Sequence, residues 1–82
     1  MKAYLLAIAA WRKQPARARK DAMHYFHDEA AQSDSWAHHE VEMGRATGEE
    51  YRRHREDAAA MRAALAVLQT LERHGRRKRR GG

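Results

Sequence analysis

Six histidines stand among 82 residues, and their spacing is the first place to look for chemistry. His24 and His27 lie three apart, with Asp28 beside the second, and His38 precedes Glu42 by four. Residues three or four apart share one face of a helix. Two antiparallel helices facing each other could therefore gather His24, His27, His38 and Glu42 as the donor set of a zinc ion. The complete motifs that carry such chemistry are missing. The chain has no His-Glu-x-x-His stretch and none of the Glu-x-x-His stretches of di-iron bundles. Exposed or half-buried imidazoles are the expectation, with no metal and no cofactor.

The remaining catalytic constellations lack parts. There is no Cys nucleophile. Ser33 and Ser35 fall at an expected helix start, where capping accounts for them. The five Gly are spaced as helix stops, not as a phosphate-binding loop. A chain this short also has little room for a rigid concave cleft. We expect a protein that binds and does not catalyse.

Binding chemistry has two sources, aromatic rings and charge. Tyr4, Trp11, Tyr25, Phe26, Trp36 and Tyr51 would serve as stacking platforms for single-stranded nucleic acid if exposed. All but Tyr25 recur at apolar helical positions, which assigns them to packing or to a protein interface. The net charge of +6 is unevenly laid out: +3 over residues 1–32, −4 over 33–50 and +7 over 51–82. Arg76, Arg77, Lys78, Arg79 and Arg80 supply most of it, and without them the body is close to neutral. Such a run, flanked by Gly, repels itself and is expected to form a disordered arm over 76–82 beyond a helical domain of 1–75. It would grip phosphates, an acidic protein surface or an anionic membrane, or serve only as a solubilising end without a specific partner. Arg12, Lys13, Arg17, Arg19 and Lys20 offer a second basic patch, with a solvated helix face as the plainer reading.

These residues must be positioned by helices. Ala, Arg, Glu, Met and Leu dominate, and β-branched residues are few. A first helix is expected from Lys2 to Lys13, with Tyr4, Leu5, Ile8 and Trp11 at helical spacing. Pro15 then opens a second helix, to about Gln32. Ser33-Asp34-Ser35 reads as a stop and restart, with a third helix from Ser35 to Ala46. Helices two and three would resemble a helix-turn-helix, but the acidic Glu40 and Glu42 argue against the third entering a groove. Thr47-Gly48-Glu49-Glu50 reads as a capping box that starts a fourth helix, from Gly48 to His74 with Gly75 as its cap. Tyr51, His54, Ala58, Met61, Leu65 and Leu68 form a heptad seam along it, beside a second line of Ala60, Ala64, Val67 and Leu71. The seam suits a monomer core and a dimer contact equally well.

The apolar stock is thin. Of 35 hydrophobic residues 17 are Ala, and Leu, Ile, Val and Phe together number nine. A buried Leu or Phe contributes on the order of 1.5–3 kcal/mol, and Ala far less. Either the helices approach closely through Ala, or a partner completes the core.

The expectation is an all-α protein, a small bundle of three to four helices with a long C-terminal helix and a disordered basic tail. Its role would be protein–protein interaction, as a regulator, inhibitor or assembly factor of the kind mobile elements carry. Tyr51, Met61, Leu65, Leu68 and Trp36 are the interface candidates, and a homo-oligomer fits the thin core. The competing reading is a nucleic-acid accessory protein working through the basic arm. No apolar run reaches the ~20 residues of a membrane span. Met1–Ala10 meets Trp11-Arg12-Lys13 too early for a signal peptide. A cytoplasmic protein without membrane contact is expected.

Overall fold

In the computed structural model the chain forms three helices: α1 (Lys2–Lys13), α2 (Ala16–Glu42) and α3 (Glu49–Gly81). The structure describes residues 3–74. The cap expected at Gly75 and the arm expected over 76–82 lie outside the described residues.

α1 ends where the sequence places it. The Gln14 amide donates to the Trp11 carbonyl at 3.1 Å. Pro15 follows at φ −59°, ψ 150°, an extended joint that no helix can run through, and its carbonyl accepts from the Arg19 amide at 3.0 Å.

α2 departs from the sequence reading. Ser33-Asp34-Ser35 does not interrupt it, and the expected second and third helices are one. Ser and Asp supply the same local chemistry at a helix start and in mid-helix, so a distant contact decides. Here the Asp34 carboxylate reaches across to α3. It pairs with Arg62 and lies 3.5 Å from the Arg55 guanidinium. Ala30 and Ala37, seven residues apart, are both buried. A break at residue 34 would turn one of them out of the contact. With no separate third helix, the helix-turn-helix arrangement is absent.

The end of α2 is a full Schellman motif. The Gly44 amide donates to the Val41 carbonyl at 3.0 Å, and the Arg45 amide to the Glu40 carbonyl at 2.8 Å. Gly44 sits at φ +76° and is the one positive-φ residue among those described. The helix therefore stops at Glu42, not at Ala46 as expected.

α3 starts one residue later than the capping box predicts. Glu49 opens it, and among the described residues the Thr47 hydroxyl makes no hydrogen bond. Glu50 instead lies 3.7 Å from Arg53 and 4.0 Å from His54 on its own helix. Glu49 and Glu50 still favour the helix dipole at this end.

α2 and α3 form an antiparallel hairpin, and α1 joins it chiefly through α3. The hairpin closes through small residues: Ala30, Ala37 and Ala58 are buried, Ala58 to 1% exposure. Leu71 is the remaining buried hydrophobic residue among those described. Close approach of Ala faces is thus the course the chain takes inside the hairpin. Ala58 lies within the heptad seam, while Tyr51, His54, Met61, Leu65 and Leu68 are half-buried on the same side. The seam is spent largely on α2. The molecule measures 55 × 26 × 17 Å, a thin body with little interior.

Candidate functional site

The closed end of the hairpin is its best-fixed polar structure. Glu40 is 8% exposed. Its carboxylate accepts from Arg45 Nε at 3.0 Å and from the Arg45 terminal nitrogen at 2.7 Å. The same two residues are joined through their backbones in the Schellman motif, which usually carries an apolar contact at this position. A bidentate fork therefore replaces that contact. The hydrogen bonds from Arg45 lower the Glu40 pKa below the ordinary carboxylate value; burial opposes this, and the charge of Arg45 adds to it. The same partnership raises the Arg45 pKa.

Next to this clamp stands Trp36. Its ring stacks on His54 of α3 at 6.3 Å between centroids and 24° between planes, and meets His39 edge-on at 6.1 Å. The indole is nonetheless 51% exposed. Val41 and Met43 are also exposed large apolar residues of this end. The clamp fixes the backbone and the imidazoles fix the ring, so an apolar display is held in one geometry.

A second polar node fastens α1. Glu72 of α3 accepts from Trp11 Nε1 at 3.1 Å and from Arg19 Nε at 3.0 Å. Arg19 also donates to the Gln14 carbonyl at 2.6 Å. Tyr4 meets His74 edge-on at 5.5 Å. One carboxylate thus ties together all three helices at the Pro15 joint.

The residues singled out from sequence are dispersed. Of the basic patch, Arg19 is engaged by Glu72 at 18% side-chain exposure. Arg12, Lys13, Arg17 and Lys20 make no ion pair among the described residues. Arg76, Arg77, Lys78, Arg79 and Arg80 lie outside those residues. Of the interface candidates, Trp36 is open, whereas Tyr51, Met61, Leu65 and Leu68 are half-buried. The metal candidates do not converge. With α2 unbroken, His24 and His38 sit on one rigid helix about 20 Å apart at 1.5 Å per residue. His38 and Glu42 approach to 3.6 Å, and His27 and Asp28 to 3.3 Å, all four exposed. Among the described residues no three His, Asp or Glu side chains gather as a metal would need.

Sequence reasoning missed the pairs that hold the ends, Glu40 with Arg45 and Glu72 with Trp11 and Arg19. The first had a findable signal, a Glu and an Arg bracketing Gly44 at the two positions a Schellman motif brings together. The second spans most of the chain and had none.

The fold and this site define a small all-helical domain with a braced apolar end. No protein-family model, curated protein or solved structure matches the chain. No helix among the described residues is long and apolar enough to cross a membrane.

Proposed function

We propose that this protein is a non-enzymatic binding module that docks on another protein through the closed end of its hairpin, as a regulator, inhibitor or assembly factor. The supporting observation is the half-exposed Trp36, held between His39 and His54 beside the Glu40–Arg45 clamp. Tryptophans that are exposed yet fixed are common energetic centres of interfaces. Fixing them beforehand lowers the ordering cost of association. Val41 and Met43 extend the apolar offer.

The chain contains no Cys, so Met43→Cys gives a unique point for a photo-crosslinker. The captured partner should bind the purified protein, and Trp36→Ala should weaken that binding at least about tenfold, roughly 1.4 kcal/mol. A partner that binds equally well without the indole would defeat this reading.

One observation favours a second reading, a nucleic-acid accessory role. Arg12, Lys13, Arg17 and Lys20 cluster around the Pro15 joint and make no ion pair among the described residues. Binding to duplex and single-stranded DNA at two salt concentrations, for the whole chain and for a chain ending at His74, separates the two. The protein-docking reading expects the shortened chain to lose steeply salt-dependent binding.

A further inference from the structure

A hairpin of two long helices leaves a groove along each side. On one side Asp34 bridges it to Arg55 and Arg62. The other side is the Trp36–His54 side. Stepping back along α2 by helical spacing, this edge carries Glu29 and Tyr25, and along α3 it carries Asp57 and Ala64. Tyr25 is 56% exposed. α1 is not laid over this stretch, because it meets α3 at Glu72 and His74. The third place of a three-helix bundle is therefore open for most of its length.

α1 has the converse property. A surface helix normally keeps one apolar stripe and one polar face. In α1 the sequence Ala3 to Trp11 is apolar on every side. Trp11 and Ile8 are partly covered, while Leu5 and Leu6 are 62% and 70% exposed. The groove lacks a greasy helix, and the helix lacks a cover. The extended Pro15 joint directs α1 to the far end of α3, away from its own groove.

We propose that the groove between Tyr25 and Trp36 on α2 and Asp57 and Ala64 on α3 receives the outer face of α1 from a second copy of the chain, each copy serving the other.

Three observations select this occupant. The first is charge. Glu29 and Asp57 on the groove rims have no ion-pair partner among the described residues, and neither do Arg12 and Lys13 at the end of α1. Docking α1 brings these opposite charges together, whereas groove against groove sets acid on acid. The second is length. The 12 residues of α1 span about 18 Å, and the stretch from Tyr25 to Trp36 about 16 Å. The third is closure. A reciprocal contact is self-complementary and ends at a dimer, without leaving a free α1 or a free groove. The inference goes beyond the partner reading above and meets it at Trp36, where the groove reaches the closed end of the hairpin.

Sedimentation velocity of the full chain over a wide concentration range tests it, with circular dichroism to verify that each variant keeps its helices. The wild type should form dimers. Leu5→Asp with Leu6→Asp should be monomeric, and so should Tyr25→Asp. Because these apolar losses also carry a folding risk, charge exchange provides the sharper test. Glu29→Lys with Asp57→Lys, or Arg12→Glu with Lys13→Glu, should each raise the dimer dissociation constant at least about tenfold, and the four changes together should restore it. A wild type that stays monomeric overturns the proposal, as does a dimer indifferent to both charge sets. A monomer that binds an added basic amphipathic peptide in the groove overturns it too, by giving the place to a foreign helix. Because Trp36 ends the groove, the partner reading is tested separately on the monomeric charge-exchanged variant: partner binding there that still depends on the indole upholds that reading whether or not the wild type dimerises.

Discussion

Gly44 and Thr47 lie three residues apart and show how differently a residue can matter. Gly44 holds φ +76°, and a Cβ there would meet nothing within 4 Å. The cost of Gly44→Ala is therefore conformational alone, about 1 kcal/mol, visible as a lower urea midpoint at unchanged slope. Thr47→Ala should cost less than about 0.5 kcal/mol, because its hydroxyl caps nothing; a capping box would make the loss about 1 kcal/mol. Glu40 governs the acid response of this end. Its folded pKa lies below its unfolded value, so its contribution is fully present above the ordinary carboxylate pKa. That contribution is lost as pH falls through the lowered one. Glu40→Gln should flatten this acid limb of a thermal-unfolding profile, and an unchanged limb would contradict the assignment. These residue-level facts were only partly legible in the sequence. The glycines as a group were recognisable as helix stops, but the third helix was still expected to run past Gly44 to Ala46, and Thr47-Gly48-Glu49-Glu50 matches a capping box that the chain does not use. The turn is settled instead by the Glu40–Arg45 fork, which a local motif cannot weigh.

At the scale of elements, the bounds of α1, the break at Pro15 and the long C-terminal helix could be read from spacing and from Pro alone. The continuity of α2 could not. Ser33-Asp34-Ser35 spells a cap to any local reading, and only the position of Arg55 and Arg62 on another helix makes Asp34 a cross-helix anchor. The metal hypothesis depended on that break, and it loses its geometry with it. Asp34→Ala removes the anchor but not the helix. It should cost about 0.5–1 kcal/mol, since all three partners are partly solvated, and the loss should shrink at high salt. Ala58 sets the distance between α2 and α3. Ala58→Leu forces extra volume into the closest contact and should destabilise by about 1–3 kcal/mol, read by chemical denaturation. A neutral result would mean the hairpin can open without loss.

For the molecule as a whole, the scarcity of large apolar residues was visible from composition, and so was its dilemma between close Ala packing and outside help. The structure answers within the hairpin and leaves α1 and one flank bare. A body this thin exposes little new surface on unfolding. The urea m-value of the monomer should therefore fall at or below about 1 kcal/mol/M, the low end for small proteins. A markedly steeper transition would indicate buried surface beyond what one chain supplies, and the unfolding midpoint would then rise with protein concentration.

The two tryptophans divide the molecule between them. Trp11 leans on Glu72 at the junction of all three helices, and Trp36 lies against His54 where the hairpin turns. Changing either to Phe leaves a single fluorophore reporting on one extremity. The order in which the rod comes apart, from its knot or from its bend, can then be watched as two separate optical signals from one small protein.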